Sequence, residues 1–188
     1  MVVELQIVRA VMLEVPPSLL EERRRLGLDK ADENWEGVIH MVPPPLDRHE
    51  DINDHLYALL RHRAEGRGLI SRGGTPGLWR AENSWRVPDQ LYARASHRRD
   101  DKFWGADMVV EIRSPGDDTY EKIPFYADVG VTEYLIVDRQ TKVPELRRMN
   151  SAGEYDIDPA GHSTVFDVSF TARSGSLIVT VDAVEHVI

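Results

Sequence analysis

The short segment Met108–Ile112 is almost wholly apolar, and it narrows the range of folds open to this sequence more than any other stretch. A strand that is apolar on both faces is typical of a sheet covered on both sides. The segment contains one acid, Glu111, whose burial is unfavourable unless its carboxylate is paired or binds a metal ion. Side chains alternate along a strand, so Glu111 and Arg113 share a face, and a purely structural ion pair between them is the alternative to a functional site.

Pro, Gly and capping residues divide the rest of the chain into short elements. The sequence predicts helices over Leu19–Leu28, from Asp47 to about Ala64, and after the capping box Asp118-x-x-Glu121. It predicts strands over Ile7–Val15, Asn34–Met41, Leu78–Arg80, Ser84–Val87, Leu91–Arg94, Met108–Ile112, Val131–Asp138, Lys142–Met149, Thr164–Phe170 and Leu177–Val181. Loops are expected over Gly66–Gly77 and His97–Lys102. Without a repeat or linker, the pattern indicates one α/β domain over residues 1–188, with a mixed sheet and helices on its faces.

The composition excludes several classes of protein. The 188 residues include no cysteine, which rules out disulfides, thiolate zinc sites and cysteine nucleophiles and suits a reducing cytoplasm. No apolar run approaches 18 residues, so we expect no membrane span. Charged residues interrupt the apolar N-terminal stretch, which argues against a secretory signal.

The formal net charge of −9 argues against a protein that coats nucleic acid generally. Arginine is nevertheless concentrated between Arg61 and Arg99, where nine arginines stand against three acids. That segment is compatible with local contacts to phosphate. A solvated surface that happens to be rich in arginine is the alternative.

Two acidic residues and one lysine, separated along the chain, are candidates for a site that binds a divalent cation. Asp89 follows Pro88, Glu111 lies in the apolar strand, and Lys122 lies beyond a Ser-Pro-Gly turn. Two carboxylates and one ammonium suit a hard cation that activates water against a phosphodiester. The turn lets the long side chain of Lys122 reach back toward Glu111. The alternatives are an ordinary turn aspartate and an exposed helix lysine paired with Asp118 or Glu121.

Other kinds of site lack their motifs. No His-x-x-x-His pair is present, so a histidine zinc site is not expected. The glycine-rich stretch Gly73–Gly77 is not followed by the Gly-Lys-Ser/Thr of a nucleotide-binding loop. Ser114 lacks the Gly-x-Ser-x-Gly frame of a hydrolase elbow.

The run Val109–Asp138 resembles the Uma2 family of restriction endonuclease-like proteins, within the PD-(D/E)XK nuclease superfamily. It reads Val-Val-Glu-Ile-Arg-Ser-Pro, then Glu-Lys-x-x-x-Tyr-Ala-x-x-Gly-Val-x-Glu-Tyr-x-Ile-Val-Asp. Residues 33–45, His49 and Val87-Pro88-Asp89 resemble the same family. The similarity therefore spans roughly residues 30 to 149.

The resemblance implies a restriction endonuclease-like α/β fold, in which a central mixed β-sheet is flanked by helices and the active site lies where the sheet splays open. It implies that Asp89, Glu111 and the carbonyl of Ile112 hold Mg²⁺ or Mn²⁺. Lys122 would orient the attacking water or offset charge on the phosphate. Glu33 would approach the metal as a further acid, and an exposed turn glutamate is the alternative for that residue.

One position departs from the superfamily pattern. The pattern places lysine two residues after the glutamate, whereas this chain has Arg113, which stays protonated and cannot act as a base. Lys122 is the predicted replacement, with Arg113 in support.

We therefore expect a DNA endonuclease that is a homodimer, because cutting two strands favours two symmetric sites. The DNA backbone would contact Arg72, Arg80, Arg86, Arg98 and Arg99. The alternative is a non-catalytic module of nuclease fold that binds nucleic acid or a protein partner, which the overall acidity and Arg113 favour.

Overall fold

The computed structural model describes residues 10–12, 14–42, 47–74 and 77–188 as short strands and a few helices. The helices are α1 (Pro17–Leu26), α2 (Asp47–Gly66) and α3 (Ile123–Asp128), with 3₁₀ turns over Ala95–His97 and Thr119–Lys122. The strands are β1 (Ala10–Met12), β2 (Glu33–Trp35), β3 (Val38–Met41), β4 (Ile70–Gly73), β5 (Leu78–Ala81), β6 (Ser84–Arg86), β7 (Gln90–Ala93), β8 (Arg98–Arg99), β9 (Lys102–Phe103), β10 (Met108–Arg113), β11 (Glu133–Asp138), β12 (Pro144–Met149), β13 (Tyr155–Ile157), β14 (His162–Ser163), β15 (Val168–Arg173), β16 (Ser176–Val181) and β17 (Val184–Val187).

The strands form three sheets, of which the six-stranded sheet is central. Its strand order is β13-β12-β11-β10-β7-β4, and it is mixed because β10 and β11 are parallel while the other neighbours are antiparallel. A seven-stranded sheet has the order β1-β3-β2-β6-β5-β9-β8, and a four-stranded sheet has the order β14-β15-β16-β17. The predicted α/β fold with a central mixed sheet is confirmed.

The central sheet is covered on both faces, as its apolar strands require. One face packs against Ile52, Leu56 and Leu60 of α2 and against the four-stranded sheet. The other face packs against α3, through Phe125, and against the seven-stranded sheet. Strand β10 contributes Met108, Val110 and Ile112 to the first core and Val109 to the second. Alternation therefore directs Glu111 toward α3.

Several predicted loops contain strands. The stretch Gly66–Gly77 includes β4, and the charged stretch His97–Lys102 includes β8 and the start of β9. Asp100 and Asp101 form the turn between these two strands, both at positive φ, a conformation that aspartate tolerates. Strands β13, β14 and β17 were also not predicted, because each is too short or too exposed to show a clear apolar pattern.

The helix starts also differ from the predictions. Helix α1 begins at Pro17, two residues before the predicted start at Leu19, and it ends at Leu26 rather than Leu28, because Gly27 takes a φ of 68° that ends the helix. The chain from Asp118 forms a 3₁₀ turn first, and α3 begins only at Ile123. For the strand predicted over Ile7–Val15, residues 7–9 and 13 lie outside the described residues. Among the residues described, none of the helices is both long and apolar enough to cross a bilayer.

Candidate active site

Three charged side chains meet inside the protein between β2, β10 and the turn before α3. The Lys122 ammonium Nζ lies 3.0 Å from Oε1 of Glu111 and 2.8 Å from Oε1 of Glu33. Each of the three residues is at most 7% exposed. Because charges removed from water are strongly unfavourable when unpaired, the two glutamates and the lysine depend on one another.

The turn after β10 explains why Lys122 returns to Glu111. Gly116 takes a positive φ of 75°, which a glycine adopts without strain. The Asp117 carboxylate then accepts hydrogen bonds from the backbone N–H groups of Ser114 and Thr119. The turn thus folds back over the end of β10 and brings Lys122 above Glu111.

Burial raises the pKa of Glu111 to about 8, with a contribution from the charges of Asp89 and Glu33, and against the opposing effect of Lys122. The Tyr126 hydroxyl, which donates to Oε1 of Glu111 at 2.6 Å, also opposes the rise. Burial would lower the pKa of Lys122, but the charges of Glu111 and Glu33 outweigh it and raise that pKa well above its usual value. Lys122 therefore stays an ammonium and does not serve as a proton acceptor near neutral pH.

Glu33 connects this cluster to the segment that leads to Asp89. Its Oε2 accepts a hydrogen bond from Trp35 Nε1 at 2.8 Å, and its Oε1 accepts one from the backbone N–H of Val87 at 2.9 Å. The sequence alternative of an exposed turn glutamate does not describe Glu33, which is buried in strand β2.

Asp89 lies where β7 and β10 separate. The pairing of these strands ends at Gln90 opposite Val110. Beyond that point β10 has no strand beside it on the β7 side among the residues described. The backbone N–H of Ile112 instead donates a hydrogen bond to the carboxylate Oδ2 of Asp89 at 2.7 Å. Asp89 and Glu111 are thereby held on neighbouring segments, at the point where the sheet opens.

The backbone of Ile112 faces the same opening. Asp107 and Arg113 direct their carbonyls to β11, where they accept hydrogen bonds from the N–H groups of Glu133 and Arg139. Because these groups alternate along a strand, Ile112 directs both its N–H and its carbonyl to the opposite side, toward Asp89. The carbonyl predicted as a metal ligand therefore points to the side on which Asp89 lies.

The donor atoms around this opening fit a hard divalent cation. Asp89 accepts its hydrogen bonds through Oδ2, and Glu111 accepts its hydrogen bonds through Oε1. Within the described residues, the second oxygen of each carboxylate, Asp89 Oδ1 and Glu111 Oε2, accepts none and can bind a metal. Two carboxylate oxygens and a carbonyl oxygen are ligands that Mg²⁺ and Mn²⁺ prefer. In the same part of the chain, no group of three or more His, Cys, Asp or Glu side chains is arranged to hold a metal. Any metal here therefore depends on the Ile112 carbonyl and on water for further ligands.

His49, at the start of α2, is a site residue that the motif analysis did not assign. Its Nε2 lies 3.1 Å from Oδ2 of Asp89, and its Nδ1 lies 3.2 Å from Glu50. Burial opposes the charge on His49, but Asp89 and Glu50 outweigh it and raise its pKa to about 9. The sequence pointed to His49 only through the resemblance of this position to the Uma2 family, and His49 lies 40 positions before Asp89.

A buried polar contact fixes α2 beside Asp89. Gln90 is fully buried, and its side-chain amide donates to Oδ1 of Asn53 at 2.8 Å and to the Asn53 carbonyl at 2.9 Å. The Tyr92 hydroxyl donates to Oε1 of Gln90 at 2.6 Å. This network connects the residue after Asp89 to the helix that carries His49.

Arg113 lies beside the cluster but has other partners. Its guanidinium donates to Asp138 at 2.8 Å and lies 5.3 Å from the ring centroid of Tyr120. The alternative of a structural Glu111–Arg113 ion pair is therefore not formed, and Lys122 pairs with Glu111 instead.

The five arginines predicted to contact DNA occupy different environments. Arg72 lies opposite Leu91, which lies opposite Val109, so Arg72 projects from the same face of the central sheet as Glu111. Arg80 forms ion pairs with Glu36 and Asp128.

The other three arginines, like Arg80 of β5, lie in the seven-stranded sheet. Arg98 is paired with Asp101, and Arg99 lies 4.7 Å from the ring centroid of Trp104. Arg86 is 3% exposed, and its guanidinium lies 3.9 Å from the ring centroid of Trp35 and donates to the Asn34 carbonyl. A surface contact with DNA is not supported for Arg86, because its guanidinium is enclosed by internal partners.

Comparisons with known proteins agree with this architecture. The family model Uma2, described as "Putative restriction endonuclease", matches residues 21–170, a range that includes Glu33, Asp89, Glu111 and Lys122. The structure is similar to that of "a putative nuclease belonging to DUF820 from Anabaena variabilis ATCC 29413", with a TM-score of 0.59 and 18% sequence identity over 72% of this chain and 81% of that chain. At this identity the likeness concerns the fold. A comparison with curated proteins gave no match.

Proposed function

This chain belongs to the Uma2 family, and we propose that it is a metal-dependent nuclease that hydrolyses phosphodiester bonds in DNA. One structural relationship carries the proposal. Lys122 contacts Glu111 at 3.0 Å, and Ile112, the residue after Glu111, donates its backbone N–H to Asp89 at 2.7 Å. Two carboxylates and one fixed positive charge thus meet at the break between β7 and β10.

In this proposal, Asp89, Glu111 and the carbonyl of Ile112 hold Mg²⁺ or Mn²⁺. When bound, such an ion supplies a water of lowered pKa and a positive contact for a phosphate oxygen. The protein contributes the positions of the ligands, because the contacts of Asp89 with Ile112 and His49 fix the orientation of its carboxylate.

Lys122 acts as a fixed positive charge. Its raised pKa keeps it protonated, so it stabilises negative charge that develops on the phosphate and does not remove a proton from water. Glu33 shares the ammonium with Glu111 and ties it to the segment before Asp89. Arg113, at the end of β10, lies beside the cluster in a supporting position, where its guanidinium is held by the ion pair with Asp138.

DNA is the proposed substrate, and a homodimer would present two symmetric sites to the two strands of a duplex. The net charge of −9 makes general attraction to a duplex weak, so local contacts near the site must supply most of the affinity.

A second candidate function, binding without cleavage, is supported by the ion pairs inside the buried cluster. Lys122 pairs with both Glu33 and Glu111, and a buried network of this kind can serve structure alone. A nuclease-like module that binds nucleic acid or a protein partner without cutting it would need no more than this.

Nicking of supercoiled plasmid in the presence of Mn²⁺ separates the two functions. We expect nicking by the native protein, its loss in EDTA, and its loss in Lys122→Met and Asp89→Asn. The matched control Lys30→Met alters an exposed lysine and should nick as the native protein does. Circular dichroism must show that each variant is folded.

Thermal unfolding with and without Mn²⁺ reports metal binding independently of cleavage. The metal should raise the Tm of the native protein but not that of Glu111→Ala, because a ligand stabilises only the state that binds it. A rise in Tm without nicking would support the non-catalytic module, and nicking by folded Lys122→Met equal to that of the native protein would contradict the proposed mechanism.

A further inference from the structure

A second group of residues lies at the same edge of the central sheet as the candidate active site. Strands β10 and β11 are parallel and end at this edge, whereas β7 and β12 are antiparallel to them and begin there. Glu111 lies opposite Ile136, which lies opposite Glu145 of β12. Directly opposed residues share a face, so Glu145 projects from the same face as Glu111.

Tyr120 lies over this part of the face with its ring partly open to solvent. It belongs to the 3₁₀ turn that also carries Lys122, and it is 42% exposed. The guanidinium of Arg113 lies 5.3 Å from its ring centroid and that of Arg147 lies 5.8 Å away. The Tyr120 hydroxyl donates to Oε2 of Glu145 at 3.3 Å.

The two arginines beside Tyr120 are themselves held in place. Arg113 is paired with Asp138 at 2.8 Å, and Arg147 is paired with Glu145 at 2.5 Å. These pairs neutralise much of the positive charge around the ring, so the group has little to offer a phosphate by charge alone. It offers a fixed, exposed aromatic surface instead.

Such a surface suits a nucleobase. Every base has a flat face that stacks on an aromatic side chain, and arginine beside the ring adds to the contact. Stacking requires that the base be unpaired or at a frayed end, because a base inside a duplex is already stacked. The acidity of the whole protein also favours a contact that does not depend on phosphate charge.

We propose that the exposed ring of Tyr120 stacks on an unpaired base of the nucleic acid strand that enters the candidate active site, so that single-stranded or frayed DNA is the preferred substrate. This inference rests on the proposed function, because it takes the ligand of the site to be nucleic acid.

The spacing is suitable for one strand to reach both places. Neighbouring strands are about 4.8 Å apart, so Glu111 on β10 and Glu145 on β12 are separated by about 10 Å, a distance that a few nucleotides of a single strand can span. On the other side of the site, Arg72 of β4 projects from the same face and the same edge. Within the described residues it has no carboxylate partner at salt-bridge distance, and it can therefore contact a phosphate of the same strand.

Fluorescence anisotropy with labelled oligonucleotides tests the role of Tyr120. In EDTA, to prevent cleavage, a single strand and a duplex of the same sequence are titrated with the native protein, Tyr120→Ala and Tyr120→Phe. We expect Tyr120→Ala to bind the single strand about 5- to 150-fold more weakly, since an aromatic stack on one base has that effect. Tyr120→Phe keeps the ring and should bind within about twofold of the native protein, and the weak duplex binding should not change in either variant.

Three results would overturn the inference: no binding of the single strand by the native protein, equal binding by Tyr120→Ala, or an equal loss in Tyr120→Phe. The last result would assign the effect to the hydroxyl and Glu145 rather than to stacking. The plasmid assay keeps this inference separate from the proposed function. A native protein that binds single strands through Tyr120 but never nicks DNA refutes hydrolysis and supports the stacking site. A protein that nicks DNA and binds equally well as Tyr120→Ala refutes the stacking site alone.

Discussion

Lys122 and Glu111 contact each other inside the protein, with Nζ 3.0 Å from Oε1, although they are eleven positions apart in the chain and a sharp turn lies between them. The contact fixes the position of α3 relative to β10. It also places a permanent positive charge beside a carboxylate that faces the opening between β7 and β10.

Replacing Lys122 with methionine should destabilise the protein by about 3–5 kcal/mol at pH 8, because Glu33 and Glu111 would remain buried without a cation. The loss should be smaller at pH 5, because burial raises the pKa of Glu111 and its carboxyl is protonated there. Urea unfolding in EDTA measures both values. Lys30→Met, at an exposed lysine, should lie within about 0.5 kcal/mol of the native protein. An equal loss at the two pH values would argue against a charge effect.

The stability of the metal-free protein should depend on pH through Glu111. Its pKa is raised from an ordinary value of 4.5 to about 8, so between these values the folded state binds more protons than the unfolded state. Stability therefore falls as pH rises through this window, and this contribution is constant above it. Glu111→Gln should lack this component in urea unfolding measured from pH 4.5 to 9. Parallel curves for the two proteins would show that Glu111 titrates normally.

His49 should influence metal affinity by orienting Asp89. Partners that orient a metal ligand typically contribute 10- to 100-fold in affinity, and His49→Ala should weaken Mn²⁺ binding by about that factor in calorimetric titrations. His49→Gln, whose amide nitrogen can replace Nε2, should recover part of the loss. His55→Ala is the matched control, since His55 lies exposed on the same helix. A native affinity in His49→Ala would remove His49 from the site.

Gln90 should stabilise the fold through its buried contacts. Replacing it with methionine leaves the Tyr92 hydroxyl and the Asn53 side chain without this partner, and an unsatisfied buried group is unfavourable by about 1–3 kcal/mol. Gln140→Met, at an exposed glutamine, is the matched control. Chemical denaturation should show a loss for the first variant only. A loss below about 0.5 kcal/mol would mean that the helix is held in place by its apolar contacts.

Local sequence patterns predicted the centre of this structure. The apolar run of β10 indicated a sheet covered on both faces, and the Ser-Pro-Gly turn indicated that Lys122 could reach back to Glu111. Both features depend on residues close together in the chain, for which side-chain alternation and turn chemistry are sufficient. The single strand predicted over Asn34–Met41 is instead two strands, β2 and β3, because Glu36 and Gly37 take positive φ and turn the chain between them.

Contacts between distant segments were not predictable in this way. The pairing of His49 with Asp89 joins residues 40 positions apart, and no periodicity in either segment encodes it. Strand β4 lies in a glycine-rich stretch, and it forms because β7 offers a partner edge rather than because of its own propensity.

The environment of Arg86 shows the same limit. Arginine usually lies at the surface, and only the packing of Trp35 and Phe125 around its guanidinium makes it a buried residue. One polar atom of Arg86, Nε, has no hydrogen-bond partner within the described residues. Such a residue can be recognised from the assembled structure and not from its neighbours in the sequence.

Anomalous diffraction from crystals soaked with Mn²⁺ locates the metal itself, and it therefore shows whether Asp89 and Glu111 hold the ion together. We expect one strong peak at the end of β10, about 2.0–2.3 Å from one oxygen of Asp89, one oxygen of Glu111 and the carbonyl of Ile112. A saturating soak that leaves this opening without a peak, or that places the metal away from Asp89 and Glu111, would contradict the proposed metal site.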